Sequence, residues 1–391
     1  MKDYKYIIVG GGMAAGSAVA GIRELDQDGT VLMVSGENAL PYNRPPLSKK
    51  LWTGASESDI YIEMDEQGLD FLLATSVLSI NPDLRRIAVS SGETFSYEKL
   101  LLATGGRVRE LPFRKGLIHY YRTIADYHHL RSLAEEKDRL AVIGAGFIGA
   151  EIAAALATYG KQVTLLDVGP GIGWRIFPAE MVLFLNDYYR AKGVTVQSGI
   201  ELSSVAQEGE QITLNIKGNS PFLADGVVAG VGIVLNEELA QDSGLALKNG
   251  IQVNEILQTS DPGIFAAGDI ANFYNPLLGR RIRVEHADNA KAMGRQAGRN
   301  MAEANEPYSY LPLFYSDMFE LGYEAVGILD SRLRIIEDWQ EKFNKGVLYY
   351  LEDDEVVGVL LWNVWDQANA AREVIGNKKS YSEKNLIGLI R

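Results

Sequence analysis

The residues of this chain with the clearest chemical purpose are two glycine clusters. The first reads Gly10-x-Gly12-x-x-Ala15, inside "YKYIIVGGGMAAGSAVAGIREL" (4–25), and the second reads Gly144-x-Gly146-x-x-Gly149, inside "DRLAVIGAGFIGAEIAAALATYG" (138–160). Each follows an apolar, strand-like run and opens a helix of small residues. Glycine at these spacings makes a tight turn and lets backbone N–H groups approach a pyrophosphate, while the helix start faces the negative charge. A single cluster of this kind can be a plain strand–helix turn. Two copies with matching flanks and a downstream acid point to two dinucleotide sites, with Met13 and Ala14 in the first turn and Phe147 and Ile148 in the second.

The acids follow at the expected distance. "KQVTLLDVG" (161–169) is a strand ending in Asp167, whose carboxylate can accept from both ribose hydroxyls of an adenosine and repels a 2′-phosphate. After the first cluster, "VLMVSGEN" offers Glu37, one residue beyond the apparent strand end at Gly36. Other strands stop in small residues: Ala103-Thr104-Gly105-Gly106, Gly230 and Gly232, and Gly268-Asp269. Side chains shrink where a cofactor lies across the carboxyl ends of a parallel sheet. Asp269 is then placed for a ribityl hydroxyl.

The paired fingerprints, "ATGG" and "IFAAGD" resemble the two-dinucleotide flavoprotein reductases, of the pyridine nucleotide-disulfide oxidoreductase superfamily. "LPYNRPPLSKKLW" (40–52) looks like the flavin-side loop of the ferredoxin- and rubredoxin-reductase type. "RVEHADNAKAMGRQAGRNM" (283–301), "FYSDMFELGYEAVGILDS" (314–331) and "VVGVLLWN" (356–363) are most similar to the apoptosis-inducing-factor-like branch. The resemblance implies FAD in the first dinucleotide domain and NADH in the second. In the disulfide-reducing members the segment after the first acid carries a redox cysteine pair; this chain has no cysteine, so electrons must leave the flavin directly. In that loop the resemblance places Arg44 on FAD's phosphates, Pro45 flat on the flavin ring, and Lys49 near flavin N5, paired with a carboxylate from the other domain, Glu151. It further implies that Phe147 covers the flavin until nicotinamide displaces it. On the same resemblance Arg122 would touch FAD, Val77 would meet the adenine, and Glu285, His286 and Ala287 would lie by the flavin and nicotinamide. Tyr315, where relatives often have Trp, would cover the flavin, and Gly232, Glu324 and Asn363 would touch the NAD. Arg175 could stack on its adenine. Two departures stand out: the first-domain ribose acid aligns with Gly36, leaving the role to Glu37, and 333–350 crosses in a short step a region where animal relatives carry a long polar insertion.

These residues need a particular scaffold: α/β, with two Rossmann-like dinucleotide-binding domains and a C-terminal α+β domain. The expected boundaries are 1–112 and 233–306 for FAD, split by an inserted NAD domain at 113–232, then 307–391 as the C-terminal domain. In the last, "VLYYLEDDEVVGVLLWN" reads as a hairpin with an acidic turn, and "QANAAREVIGN" as a late helix. The 391 residues suit two or three domains. A net charge of −13 disfavours nucleic acid and anionic membrane as partners. No metal site is expected: cysteine is absent, and the adjacent His128 and His129 do not share a helix face. The opening "MKDYKYIIVGGG" has no signal-like apolar core, and no run reaches the ~20 apolar residues of a membrane helix, so a cytoplasmic protein is expected.

Two functions from different classes fit these features. One is a FAD-dependent NADH oxidoreductase with slow reoxidation, its acceptor a ferredoxin, a rubredoxin, a quinone, oxygen or a dye, with an NADH-dependent ferredoxin or rubredoxin reductase of fast turnover as its alternative. The other is a redox sensor whose dimerisation changes on reduction. A homodimer is expected in either case. "GRRIR" (279–283) and "NKK" (377–379) are the candidate basic patches for an acidic redox protein.

Overall fold

The computed structural model describes residues 2–391, which fold into two compact units. The first comprises the chain up to Arg44, Glu57–Arg107 and Val234–Leu313; the second comprises Pro45–Ser56, Val108–Ile233 and Phe314–Arg391. The proline loop 45–56 and the C-terminal 314–391 therefore group with the second dinucleotide segment.

In the first unit, strand Lys2–Val9 pairs in parallel with Val31–Val34 and with Thr94–Leu102. Leu69–Leu72 extends the sheet on one side and Ile264–Ala266 on the other, again in parallel. An antiparallel pair, Val77–Asn81 and Arg86–Val89, is attached to Thr94–Leu102. Ile7, Ile8, Leu100 and Leu101 are fully buried, as continuous apolar runs are when both sheet faces are covered. Register then decides the site. Val9 lies opposite Val34 and Leu102, and Leu102 opposite Ala266, so Gly10, Ser35, Ala103 and Ala267 all leave the sheet at one edge.

Helices Met13–Arg23 and Ala287–Met301 pack closely because glycine lets their backbones touch. A Cβ on Gly294 would stand 2.2 Å from Ala14 O, one on Gly298 2.1 Å from Ala18 O, and one on Gly21 2.0 Å from Arg295 O.

The second unit repeats the plan. Its parallel sheet runs Thr195–Gln197, Gln162–Leu166, Arg139–Ile143, Gly226–Ala229, His119–Tyr120. Leu166, Ile143 and Ala229 align, so Gly144, Asp167 and Gly230 begin side by side. An antiparallel meander, Leu202–Glu208, Gln211–Ile216 and Phe222–Ala224, follows. The C-terminal sheet has the order Leu313–Met318, Leu321–Gly327, Glu355–Trp362, Lys345–Glu352, Arg334–Glu341, with helix Ala368–Gly376 against it. Lys345–Glu352 and Glu355–Trp362 form the expected hairpin, and its turn residues Asp353 and Asp354 take φ of 48° and 64°. Positive φ at both central positions matches the twist of a two-residue hairpin. The fold is thus α/β, with two Rossmann-like sheets and a C-terminal antiparallel domain. Among the described residues no helix is long and apolar enough to cross a membrane.

The helix crossing gives a direct check. Gly298→Val forces a branched side chain onto the Ala18 carbonyl and is expected to lower the unfolding free energy by about 3 kcal/mol. An unchanged denaturation midpoint would contradict the close packing.

Candidate functional site

The first glycine loop is shaped by what it cannot hold. Gly10 has φ +127°, and a Cβ there would stand 2.2 Å from Ala103 O; one on Gly11 would stand 2.2 Å from Ser35 Oγ. Gly12 caps helix Met13–Arg23 without a side-chain hydrogen bond, and the first turn holds no acid. The helix therefore offers its free N–H groups and positive dipole end to an anion. Ala14 and Ala15 are buried behind the loop. Gly268, with φ +79°, comes close enough that a Cβ would meet Ala14 Cβ at 3.0 Å, which brings Asp269 beside the helix start. Arg44 Nη2 lies 3.9 Å from where a Gly12 Cβ would be. This tight glycine turn, with an uncapped helix start, the Arg44 guanidinium and a carboxylate beside it, fits the pyrophosphate and ribityl chain of FAD.

Other predicted residues of the first unit have structural partners. Arg44 forms an ion pair with Glu37, and Tyr42 OH donates to the same carboxylate at 2.6 Å. Burial opposes the charge on Arg44, and the carboxylates of Glu37 and Asp269 more than offset it. Thr104 Oγ1 donates to Asn236 O at 2.8 Å, Asn236 Nδ2 returns a bond to Thr104 O at 2.9 Å, and Gly105 has φ +57°. Val77 is buried in the core of this unit, in register with Val89. Glu285 pairs with Arg283 at 2.9 Å, and Arg283 also donates to Asp269 O at 3.1 Å. His286 caps the helix that begins at Ala287, and burial lowers its pKa to about 4.

In the second unit, Gly144 has φ +97°, and a Cβ on Gly149 would stand 1.7 Å from Gly144 O. Gly146 caps helix Phe147–Thr158 with no side-chain bond. Asp167 accepts from Ala145 N and from Gly169 N, both at 2.6 Å. Its carboxylate thus lies on the glycine loop itself, where an adenosine ribose would be held. Phe147 and Ile148 are each 42% exposed, and Phe147 meets the edge of Phe314 at 5.4 Å. Gly232 has φ +93°, and its carbonyl accepts from Arg109 N at 2.9 Å. Arg175 is exposed, with its guanidinium 5.1 Å from the Trp174 ring centre. The Asn363 amide is committed to Gly322 N and Asn344 O, both at 2.8 Å, so it holds two strands and a loop together. The Glu324 carboxyl is pushed up by burial and by Asp366, and its Oε2 has no hydrogen-bond partner among the described residues.

Arg122, Pro45, Lys49 and Tyr315, which the resemblance assigns to FAD, belong to this second unit. Arg122 N donates to Asp126, which also completes the capping box of helix Ile124–Glu136 with Thr123. Pro45 starts the short helical turn Pro45–Ser48. This turn is anchored from below: Trp52 Nε1 donates to Leu47 O at 2.9 Å, and Tyr121 OH donates to the same oxygen. Arg131 lies 5.3 Å from the Trp52 ring centre and 4.1 Å from that of Tyr159. The prolines restrict the loop and the aromatic–arginine stack holds it.

The loop delivers Lys49 to a buried carboxylate. Lys49 Nζ lies 2.7 Å from Glu151 Oε1 and 3.1 Å from Asp317 Oδ2, and 4.8 Å from the Tyr315 ring centre. The Lys49 and Glu151 side chains are only 11% and 5% exposed. Ser48 Oγ donates to Glu151 Oε2, and Ser316 Oγ to Oε1, each at 2.6 Å. The sequence reading missed Ser48, Ser316 and Asp317. Their only sequence signal is adjacency, since Ser48 precedes Lys49 and "SD" follows Tyr315.

Two tests follow from this geometry. Lys49→Ala or Glu151→Ala leaves a buried charge without its partner, so each is expected to cost about 3 kcal/mol while the double variant costs clearly less than the sum. Strict additivity would mean that the two side chains do not interact. The second test is pH. His286 titrates at 6.5 when unperturbed and near 4 in the fold, so the unfolded chain takes up the proton first. Stability is therefore expected to fall as pH drops from 6.5 towards 4, and to fall less in His286→Gln. Superimposable pH profiles for the two proteins would contradict a buried neutral imidazole.

Residues 4–294 match the pyridine nucleotide-disulphide oxidoreductase family, and 297–340 and 336–377 match the C-terminal region of mitochondrion-associated apoptosis-inducing factor. Apoptosis-inducing factor 1 of Dictyostelium discoideum is 30% identical, over 98% of this chain and 80% of its own length. Putidaredoxin reductase of Pseudomonas putida is 32% identical, over 98% and 94%. The crystal structure of the covalent putidaredoxin reductase–putidaredoxin complex superimposes with a TM-score of 0.90 at 31% identity, covering 98% of this chain and 95% of that one. With matches that run through both dinucleotide folds and on into the C-terminal sheet, the chain belongs to the pyridine nucleotide-disulphide oxidoreductase family, in its apoptosis-inducing-factor-like branch, and is an FAD-dependent NADH oxidoreductase.

Proposed function

We propose that the chain oxidises NADH, holds the reduced flavin against oxygen with the oxidised nicotinamide still stacked on it, and releases electrons to a selective acceptor. The observation that supports the two-dinucleotide part of the reading is the pair of glycine cradles, one per unit, each too tight for a Cβ at its first glycine and each opening a helix with no side-chain cap. When bound, FAD supplies the redox chemistry, taking a hydride from NADH and passing its electrons on. The protein supplies the rest. Gly10–Gly12 and Arg44 bind the FAD phosphates, with Asp269 on the ribityl chain. Gly144–Gly149 bind the NADH pyrophosphate, and Asp167 binds its ribose. Lys49, fixed by Glu151, would supply a positive charge to the flavin when FAD is bound. Phe147 and Tyr315 are large, partly exposed rings that shield the reacting face from water and oxygen, supported by their contacts to Phe314 and Lys49.

The acceptor we propose is a small iron–sulfur protein of the ferredoxin or rubredoxin class. Support comes from relatives named as ferredoxin–NAD(+) reductase components, one from Burkholderia cepacia 35% identical over 85% of this chain, and from the putidaredoxin complex. A cytoplasmic setting and a homodimer belong to the same reading.

Rapid mixing with NADH is the test. Without oxygen, the yellow protein is expected to bleach and to gain a long-wavelength charge-transfer band; in air, that band is expected to outlast a turnover, with low activity towards oxygen and a rising dimer content. Fast, band-free turnover would overturn the slow-reoxidation reading. Cofactor choice is a second check. Asp167 sets a like charge against a 2′-phosphate, so kcat/KM for NADH is expected to exceed that for NADPH by at least about ten-fold, and Asp167→Ser to narrow the gap. Equal efficiency with both cofactors in the unaltered protein would refute the role of Asp167.

A further inference from the structure

Glu151 by itself would be a loose anchor for Lys49, because a glutamate carboxylate swings on rotatable bonds. Two buried hydroxyls remove that freedom. Ser48 Oγ donates to Oε2 and Ser316 Oγ to Oε1, each at 2.6 Å, and the two serines are 4% and 2% exposed. The approach of Ser48 Oγ to Pro45 O, at 3.4 Å, is too long to compete. The donors arrive from separate parts of one unit, 103 and 165 residues away from Glu151 in sequence. One donor on each oxygen fixes the carboxylate plane before Lys49 is counted. Lys49 then shares Oε1 with Ser316, at 2.7 Å, and Asp317 closes over its outer side at 3.1 Å.

We propose that Ser48 and Ser316 are positioning residues for NADH oxidation: they set the rotamer of Glu151 and, through it, the place of the Lys49 ammonium. The proposal rests on the reading of Lys49 as the group that acts on the flavin. It goes further by assigning the precision of that charge to two neutral side chains. A hydroxyl suits the task, since it orients a carboxylate without neutralising it and leaves its charge to the lysine.

The test uses the FAD-loaded protein and reads the midpoint potential of bound FAD, the rate of its reduction by NADH, and the thermal unfolding midpoint. Ser48→Ala and Ser316→Ala are each expected to keep FAD bound, shift the potential and slow reduction by about five-fold, the rate equivalent of one ordinary hydrogen bond. In a Lys49→Ala background the same serine changes are expected to alter neither potential nor rate, although any loss of thermal stability remains. Ser48→Ala alone suffices should Ser316→Ala fold poorly. Serine effects that persist undiminished without Lys49 would overturn the proposal, as would serine variants with unchanged potential and rate. If Lys49→Ala itself moves neither, the reading of Lys49 falls and takes this proposal with it. If Lys49→Ala moves both and the serine changes do not, the serine assignment alone fails.

Discussion

A single buried carboxylate ties the second unit together at its chemical end. Glu151 lies one turn into the helix of the second glycine cradle, accepts hydrogen bonds from Ser48 and Ser316 and forms an ion pair with Lys49. Those donors belong to the proline loop and to the first strand of the C-terminal sheet. Burying a carboxylate is costly unless its lone pairs are satisfied, so the three segments have to meet where the donors meet. The constraint runs in both directions. The helix start is fixed by the glycine turn behind it, and the loop and strand are fixed by Glu151 in front.

The proline loop shows how the scaffold meets that demand. Its backbone is restricted by Pro45 and Pro46, and the Leu47 carbonyl is held by both Trp52 and Tyr121. Trp52 in turn stacks with Arg131, on the same helix that Thr123 and Asp126 cap. Lys49 projects from a loop with little freedom left, onto a carboxylate with little freedom left. The first unit uses another device for its charged group, setting Arg44 between Glu37, Tyr42 and the field of Asp269.

The glycine turns and the C-terminal hairpin, which depend on local backbone geometry, were legible in the sequence. Glycine at Gly10 and Gly144 is demanded by positive φ and by carbonyls standing where a Cβ would go, and that demand shows as a spacing. The hairpin at Asp353-Asp354 shows in the same way, as two apolar runs around a turn. Long-range hydroxyl bonds leave no such trace: Ser48 and Ser316 look like any other serines until the chain is folded. Arg44 and Glu37 were each read as cofactor ligands, and their pairing with each other could not be seen because it depends on how the loop returns over seven residues. The helix crossing was legible in principle, since Gly294 and Gly298 recur on one helix face opposite Ala14 and Ala18, but small residues at helical spacing also occur without a close partner.

The central claim is that two tight glycine cradles hold two different dinucleotides, and that the Glu151 cluster is already set when they do. A crystal structure of the oxidised protein with FAD and NAD⁺ tests it most directly. The account predicts the FAD pyrophosphate on Gly10–Gly12 with Asp269 on the ribityl chain, the NAD⁺ pyrophosphate on Gly144–Gly149 with Asp167 on the ribose, and Lys49, Ser48 and Ser316 still on Glu151. Either dinucleotide bound away from its glycine loop, or Lys49 turned away from Glu151, would contradict it.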